Sequence, residues 1–455
     1  MHTVAESPRT APARRARPWL MLGIGVAAQA SGTLAVTTPA LLIPLFHSQL
    51  GMSLAQAGLL AAVPTLGMVL TLVAWGAVTD RYGERWVLSG GLVLTAIGAV
   101  GAAVASGSLR VGHHPSASTL LTLGSFLLLT GMAAASTNAA SGRVVVGWFP
   151  AHRRGLAMGI RQTCQPLGVA VAAVTVPTLS ATVNTASAFL LGALLTAACA
   201  VACALWIVNP PSVSGSLSRR EKQPRGGSRN SIPRVSSPAT GVSTAAGSPY
   251  RGSGVLWRIH LASALLVVPQ FALSTFGLVW LVSEQQWMPL AAGILIGISQ
   301  FVGALGRIGV GILSDRVGSR LLPLKWVTVC AALTMAATAL VGAPGAPFIV
   351  AGAYLIASCA SVADNGLAYT AVAEIAGSEW SGRALGAQNT GQFLAASAVG
   401  PALGALIGLV GYPLAFLATA VAPLLALPLV PSPRVEHLTD PKSVPAGETL
   451  SRAES

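Results

Sequence analysis

Two stretches of the chain carry nearly the same ten-residue pattern: GAVTDRYGER at residues 76–85 and GILSDRVGSR at residues 311–320. Each stretch places an Asp-Arg pair between two glycines and ends on a further arginine. The first holds four charged side chains within six positions, although only 9% of the residues in the protein are charged. A chain with so little charge repeats it at the same spacing, and this repeat decides the fold.

The composition indicates a membrane protein. The chain has 455 residues, of which 53% are hydrophobic, and its mean hydropathy is +0.69. An ordinary soluble domain carries about 25% charged residues. A chain with so few charged residues cannot form a polar surface that covers the whole protein in water. The lipid bilayer is therefore its expected solvent. The polar, proline-containing N-terminal segment lacks the pattern of a cleavable signal peptide and is expected to be a cytoplasmic tail.

Twelve apolar stretches are long enough to cross a bilayer, at about 20 residues for each crossing. The twelve crossings are expected near residues 19–46, 54–78, 86–106, 117–147, 155–178, 185–208, 256–282, 288–313, 323–342, 346–372, 381–409 and 411–431.

The basic residues are distributed as this count requires when the N-terminus lies in the cytoplasm. The segments expected inside contain Arg9, Arg14, Arg15, Arg17, Arg81, Arg85, His152, Arg153, Arg154, Arg316, Arg320, Lys325, Arg434, Lys442 and Arg452. The loops expected outside contain a single cation, Arg110. This asymmetry follows the positive-inside rule and places both termini in the cytoplasm of a multi-pass protein of the inner (plasma) membrane. The net charge of +14 reflects topology and requires no nucleic-acid partner.

The predicted domain organisation has five parts. They are a cytoplasmic tail at 1–18, a six-helix bundle at 19–208, a linker at 209–255, a second six-helix bundle at 256–431 and a cytoplasmic tail at 432–455. The linker is rich in Ser, Pro, Gly and Arg, and Glu221 is its only acid. Such a segment buries too little apolar surface to fold alone, so it is expected to be a disordered, basic cytoplasmic tether.

The two bundles repeat one another. AMGIRQTCQ at residues 157–165 aligns with ALGAQNTGQ at residues 384–392, an offset of 227 that also places Asn138 on Asn365. The repeated decapeptide and this second repeated segment both indicate an internal duplication. The predicted fold is an all-α integral membrane protein with twelve helices in two six-helix pseudo-repeats, which is the architecture of a rocking transporter.

The two decapeptides resemble the signature Gly-x-x-x-Asp-Arg-x-Gly-x-Arg/Lys of the major facilitator superfamily. The matching residues are Gly76, Asp80, Arg81, Gly83 and Arg85 in the first copy and Gly311, Asp315, Arg316, Gly318 and Arg320 in the second. The resemblance implies that these turns are gating elements. In physical terms, the first glycine of each copy lets two helices approach closely, the Asp opposes a helix N-terminus, and the second glycine permits a tight turn. The alternative is a charge cluster that only anchors the loop.

Polar side chains within the predicted crossings indicate a solute site. The candidate substrate-binding residues are Arg307, Arg161, Gln165, Asn138, Asn365 and Gln392. Two arginines with amide partners suit an anionic substrate, because a guanidinium matches a carboxylate or similar oxyanion.

Two local patterns resemble anion-carrying branches of the superfamily. Gly306-Arg307-x-x-x-Gly311-x-x-x-Asp315 resembles helix 8 of monocarboxylate porters and oxalate:formate exchangers, in which the arginine binds the anion. WFPAHRRGLAMGIRQ at residues 148–162 is similar to the helix 4–5 region of the nitrate, cyanate and organic-anion branches. The chain departs from the porters at Gly303, where they carry an Asp, and from the oxalate exchangers in lacking a lysine in helix 11.

Each of these side chains also has a structural interpretation. In the structural interpretation, Arg307 pairs with Asp315 or extends to the membrane surface instead of binding a solute. Arg161 then serves only the packing of helices. Asp364, the one acid placed well inside a crossing, is the candidate proton carrier, because a carboxyl removed from water can take up and release a proton. The alternative for Asp364 is a static ion pair with an arginine.

The sequence therefore predicts a secondary active transporter for a small organic or inorganic anion, coupled to protons or to counter-anion exchange. The alternative is a proton-driven exporter of drugs or metabolites with the same fold. The pattern indicates no enzyme, no metal site and no cofactor, because clustered acids, His-Cys motifs and a phosphate-binding loop are all missing from the sequence. The expected partners are the small-molecule substrate and the lipid bilayer, with the protein as a monomer.

Overall fold

The computed structural model describes residues 18–109, 112–149, 157, 160–209, 249–250, 254–341 and 346–433. Most of the predicted tails and of the predicted linker lie outside these residues. The side chains of Asp80, 142–147, 377–379 and 381–382 are likewise outside the description, and with them the candidate gating carboxylate of the first decapeptide.

Every regular element in the described ranges is a helix. The N-terminal half contains α1 (Pro18–Leu41), α2 (Ile43–Ser48), α3 (Leu54–Tyr82), α4 (Glu84–Ser106), α5 (Ala117–Trp148), α6 (Cys164–Thr182) and α7 (Thr185–Trp206). The helix starts have local causes. Ser53 and Gln56 form a capping box at the start of α3, and the Asn184 side chain accepts a hydrogen bond from the Ser187 backbone N–H at the start of α7.

The C-terminal half repeats this arrangement. It contains α8 (Val255–Val279) continued by a π-helical turn (Trp280–Glu284), α9 (Pro289–Val317), α10 (Leu321–Leu340), α11 (Pro347–Val362) and α12 (Asp364–Ala426). Among the described residues, eleven helical segments are long and apolar enough to span a membrane. The last of these, Arg383–Ala426, has 44 residues, about twice what one crossing needs.

The chain reverses direction inside α12, at Gly411, where the backbone adopts a φ of 77°. Before this point Gly404 packs against Leu54, and after it Phe416 packs against Trp280. Leu54 and Trp280 belong to one buried apolar cluster and so mark the same end of the molecule. The chain then returns to the far end of α8, where Arg258 donates a hydrogen bond to the carbonyl of Leu429. The segment therefore contains two crossings, and the expected total of twelve is consistent with the fold.

The two charged decapeptides lie at the same end of the molecule. The start of α3 packs beside the end of α8, since the Gly58 backbone contacts the ring of Phe276, and α9 begins a few residues after the π-helical turn. Tyr82 and Val317, the last residues of α3 and α9, are therefore both at the far end. We call the end with residues 79–85 and 314–320 the basic end, and the end with residues 43–54 and 280–289 the opposite end.

Close contacts between the two halves lie toward the opposite end. The backbones of Gly58 and Gly400 touch each other, and Gly404 touches the carbonyl oxygen of Leu54, so α3 and α12 pack without intervening side chains. The Gly293 backbone packs in the same way on Ala173 and joins α9 to α6. These glycine contacts, which we call the glycine seal, close the molecule at the opposite end.

The second glycine of each decapeptide has the predicted role, and the first does not. Gly83 (φ 79°) and Gly318 (φ 68°) adopt positive φ values that only glycine takes readily, so each one terminates its helix in a tight turn. The expectation that Gly76 and Gly311 bring helices into close contact is wrong for this conformation. A Cβ added at either position meets no described atom within 4 Å, because both glycines lie at the end where the halves are apart.

The second decapeptide forms an ion-pair cluster at the surface of the basic end. The Arg320 guanidinium contacts Asp315 and Glu374 and donates a hydrogen bond to the Ser314 hydroxyl at 3.0 Å. All four residues belong to the C-terminal half. The cluster ties the turn after α9 to the first part of α12, within one half of the molecule.

Candidate functional site

A central cavity of about 1120 Å³ lies between the two halves. Its wall includes residues from α1, α3, α5 and α6 on one side and from α8, α9, α11 and α12 on the other. The cavity extends from Gly400, within the glycine seal, to Glu374. The Glu374 side chain is 55% exposed at the basic end. The cavity is therefore closed at the opposite end and reaches the surface at the basic end.

The structure brings the predicted substrate-binding residues together on the cavity wall. The residues that line it include Arg307, Arg161, Gln165, Asn138, Asn365 and Gln392. Asp364 does not line the cavity, although it neighbours Asn365 in sequence. The two arginines come from opposite halves, because Arg161 precedes α6 and Arg307 lies in α9.

Arg307 leaves most of its hydrogen-bonding capacity for the cavity. Its Nε donates to the carbonyl oxygen of Val362 at 3.1 Å, and its two terminal nitrogens make no hydrogen bond or ion pair with the described residues. The alternative pairing with Asp315 is absent from the described contacts, because Asp315 is bonded to Arg320 instead. Arg307 and Asp364 attract each other electrostatically, yet they form no ion pair within 4 Å in the described part of the chain.

Arg161 belongs to a network of polar side chains in the N-terminal half. Its Nε donates to the Ser141 hydroxyl at 3.0 Å, and Ser141 donates to Gln29 Oε1 at 2.9 Å. Gln29 Nε2 then donates to Asn138 Oδ1 at 2.6 Å. Because a guanidinium can only donate, the hydrogen bonds run outward from Arg161, and the Asn138 amide nitrogen is left without a described partner at the cavity.

The C-terminal half contains the corresponding amide pair. Asn365 Nδ2 in the fourth crossing of this half donates to Gln270 Oε1 in the first at 3.1 Å, whereas in the other half Gln29 in the first crossing donates to Asn138 in the fourth. Gln392 Nε2 donates to Asn365 Oδ1 at 3.0 Å, and its Oε1 accepts a hydrogen bond from Tyr369 at 2.8 Å. Each half therefore places one amide pair between its first and fourth crossings, on the cavity wall.

Comparison with known proteins identifies the family. Residues 20–398 match the sequence model of the Major Facilitator Superfamily. The chain belongs to this superfamily. Two relatives from Mycobacterium tuberculosis are each 42% identical to it over 413 residues, covering 91% of this chain and 84% of theirs. They are the uncharacterized MFS-type transporters Rv2994, from strain H37Rv, and MT3072, from strain CDC 1551.

Solved structures show the same fold. A bacterial homologue of the human lysosomal transporter Spinster, in an inward-facing and occupied conformation, superposes with a TM-score of 0.71 at 15% identity. The match covers 95% of this chain and 99% of that one. The unoccupied inward-facing form of the same homologue gives a TM-score of 0.68 at 16% identity, with the same coverage. The chain is therefore a multi-pass membrane transporter of the Major Facilitator Superfamily and not an enzyme.

In this superfamily member, Asp364 lies at a break in the tenth crossing. Helix α11 ends at Val362 and α12 begins at Asp364, so Arg307 bonds the last carbonyl of one helix beside the first residue of the next. The Asp364 side chain is buried, and its Oδ2 has no hydrogen-bond partner in the described structure. The predicted crossing at 346–372 corresponds to the single span Pro347–Ala376, and only the interruption at Ala363 within it was not predicted.

Arg161 lies on the helical segment that leads into α6. Helix 5 was expected near residues 155–178, with Arg161 about two turns inside it. Ala157 and residues 160–162 are helical, and Thr163 is a single turn residue before α6 within the span Ile160–Thr182. Residues 155–156 and 158–159 lie outside the described residues, so the start of this helix stays a prediction.

Four residues of the polar networks were not predicted from the sequence: Gln29, Ser141, Tyr369 and His260. Gln29 had a detectable signal, because it is the only amide inside the first apolar stretch. Ser141 and Tyr369 had none, since serine and tyrosine are common in apolar helices.

Proposed function

We propose that this transporter carries an anion, bound in the central cavity between the two halves, by alternating access. The supporting observation is Arg307, a guanidinium inside the membrane region that lines the cavity and, among the described residues, is hydrogen-bonded only through its Nε. A charge at this depth is costly unless a partner compensates it. A carboxylate or another oxyanion of the substrate supplies that partner through paired hydrogen bonds.

The rest of the polar wall favours the same class of substrate. The amide oxygens of Asn138 and Gln270 accept hydrogen bonds from protein groups, and no described group occupies their amide nitrogens. The amide groups that these two residues leave free are therefore donors. Together with the guanidinium of Arg307, these N–H groups complement a solute that presents acceptors.

Asp364 supplies a route for coupling to protons. When ionised, its carboxylate attracts Arg307 and competes with the solute for that charge. When protonated, it leaves Arg307 free to bind the anion. A proton and an anion therefore favour the same state, which is the linkage that a proton-anion symporter needs.

The basic end is assigned to the cytoplasm, because the positive-inside rule places the cation-rich loops there. With this assignment the cavity is open to the cytoplasm. We propose further that both termini are cytoplasmic and that the protein acts as a monomer.

The volume of the cavity favours a second candidate function. A space of about 1120 Å³ is larger than a small anion fills, and apolar side chains such as Phe271 and Phe393 contribute to its wall. This suits an exporter of larger amphipathic compounds, driven by the same proton coupling.

A thermal-shift screen of the purified protein separates the two candidates. The compounds are monocarboxylates, dicarboxylates, nitrate, cyanate and cationic drugs. Because a ligand that binds only the folded protein raises its melting temperature, the anion proposal predicts stabilisation by one or more anions and none by the cations. Stabilisation by cationic drugs alone contradicts it and supports the exporter.

Asp364→Asn is expected to remove the pH dependence of anion binding. In the native protein, affinity for the stabilising anion rises as the pH falls from 8 to 5.5, because protonation of Asp364 releases Arg307. The amide mimics the protonated carboxyl, so the variant binds equally tightly at both pH values. Proteoliposomes carrying it exchange anions but do not accumulate them in response to a pH gradient.

Glu284→Gln, at the opposite end, is the control for this prediction and keeps the native pH dependence. Accumulation driven by a pH gradient in the Asp364→Asn variant removes Asp364 from the coupling mechanism.

A further inference from the structure

A hydrogen-bonded chain outside the cavity connects His260 to the solute site. His260 lies in α8, and its Nδ1 is bonded to Gln388 Oε1 at 2.5 Å, while its Nε2 lies 3.0 Å from the Tyr250 hydroxyl. An amide oxygen can only accept, so the imidazole donates its proton from Nδ1, and Nε2 accepts from Tyr250. Neither His260 nor Gln388 lines the cavity.

Gln388 passes this contact to the cavity wall through one serine. The Ser263 hydroxyl oxygen accepts hydrogen bonds from Gln388 Nε2 at 2.7 Å and from Gln392 Nε2 at 2.8 Å. Gln388 and Ser263 are each 1% exposed, so water does not replace a missing partner there. Gln392 and its partner Asn365 do line the cavity. The orientation of the Gln392 amide thus depends on His260, with Ser263 and Gln388 between them.

The internal repeat explains why this position needs support. At the offset of 227, Gln388 corresponds to Arg161, whose guanidinium donates to Ser141 in the other half. An arginine has an obligatory donor orientation, whereas an amide can present either its nitrogen or its oxygen. In the C-terminal half, the imidazole at 260 holds the Gln388 oxygen and so directs the nitrogen toward Ser263.

The surroundings of His260 keep the imidazole in place. The rings of Tyr250 and Trp257 lie with their centroids 5.9 Å from that of His260, and Trp380 packs on Tyr250 from α12. Arg383 stacks on Trp380, and Arg258 lies beside Trp257 in α8, where its guanidinium donates to the carbonyls of Pro428 and Leu429. Burial raises the pKa of the Tyr250 phenol, which keeps its hydroxyl a donor toward His260.

We propose that His260 is a positioning residue for the solute site: through Gln388 and Ser263 it fixes the amide of Gln392 on the cavity wall, and thereby sets the affinity for the solute. The proposal rests on the proposed function only in taking that solute to be an anion.

Two substitutions at position 260 separate the role of each imidazole nitrogen. Asparagine places an amide N–H close to the position of Nδ1, and glutamine places one close to the position of Nε2. His260→Asn is therefore expected to keep native affinity for the anion that stabilises the protein most strongly, chosen from the thermal-shift panel. His260→Gln and His260→Phe leave the buried Gln388 oxygen without its donor and weaken binding by about tenfold or more.

A packing role predicts a different order, because phenylalanine matches the imidazole in shape better than asparagine does. Equal affinity in the phenylalanine and native proteins, or a loss in the asparagine variant as large as in the glutamine variant, overturns the proposal. If the native protein binds none of the anions, that result contradicts the proposed function and not the role of His260. The tautomer of His260, measured without any solute, then decides that role.

The tautomer of His260 tests the contact without any solute. In nitrogen-15 spectra of histidine-labelled protein, with the signal assigned through its loss in His260→Asn, His260 is expected to carry its proton on Nδ1. Gln388→Leu removes the acceptor and is expected to return the proton to Nε2. A proton on Nε2 in the native protein contradicts the positioning role, whatever the protein binds.

Discussion

Gly404→Ala is expected to open the transporter at the opposite end. The Cβ that alanine adds overlaps the carbonyl oxygen of Leu54, so α3 and α12 must separate where the glycine seal holds them together. Overpacking of this kind costs about 1–3 kcal/mol. The strain is present only when the opposite end is closed, so it shifts the population toward the conformation open there, by about tenfold for each 1.4 kcal/mol.

Labelling of a single cysteine measures this shift. Thr275, 8% exposed in α8, precedes Phe276, whose ring packs on Gly58 of the glycine seal. It is replaced by cysteine after removal of the five native cysteines. A membrane-impermeant maleimide added at the opposite end is expected to react about tenfold faster with Thr275→Cys in the Gly404→Ala background. Transport is expected to fall, because the closed state becomes rare.

Gly408→Ala is the matched control, one further turn along the same helix. A Cβ at Gly408 meets nothing within 4 Å of it in the described structure, so labelling and transport stay at the native level. Equal labelling of the Gly404 and Gly408 variants shows that the glycine seal does not govern closure.

Arg307→Ala is expected to abolish binding of the anion while the protein remains folded in the membrane. The substitution removes the positive charge and the paired donors that hold the oxyanion, and loss of one partner of a buried charge pair costs about 2 kcal/mol or more. Affinity for the stabilising anion then falls at least about 30-fold. Arg307→Lys keeps the charge but loses the planar pair of donors, so its affinity for the anion is expected to lie between those of the native protein and the Arg307→Ala variant.

Arg258→Gln serves as the control for the loss of an arginine. Its guanidinium donates to the carbonyls of Pro428 and Leu429 at the basic end and lies outside the cavity. This variant is expected to bind the anion as the native protein does. Anion-dependent stabilisation that survives in Arg307→Ala removes Arg307 from the site and leaves the cavity without its proposed ligand.

The overall architecture could be predicted because it depends on properties that sequence displays directly. Stretches of about 20 apolar residues, the one-sided distribution of arginine and the duplicated decapeptides together indicate two six-helix repeats, and the family match confirms this. The offset of 227 also predicted that Asn138 and Asn365 occupy equivalent places, and each does form an amide pair with the first crossing of its half.

The failures share a physical reason. Sequence spacing gives the depth of a residue along a helix, but it does not say which neighbours the helix meets in a given conformation. Gly76 and Gly311 therefore suggested close packing, yet they lie at the end where the halves are apart, while Gly400 and Gly404 form the contact. The break before Asp364 carries no proline, and its stabilising partner Arg307 lies 55 residues away from Val362.

The distance between the two halves at the basic end tests the central claim most directly. Spin labels at Tyr82 and Val317, the exposed last residues of α3 and α9, report that distance in a cysteine-free protein. Saturating amounts of the stabilising anion are expected to shorten it, because a solute held by Arg161 on one side and Arg307 on the other draws the halves together. A distance distribution that is the same with and without the anion would contradict a cavity that closes around its solute.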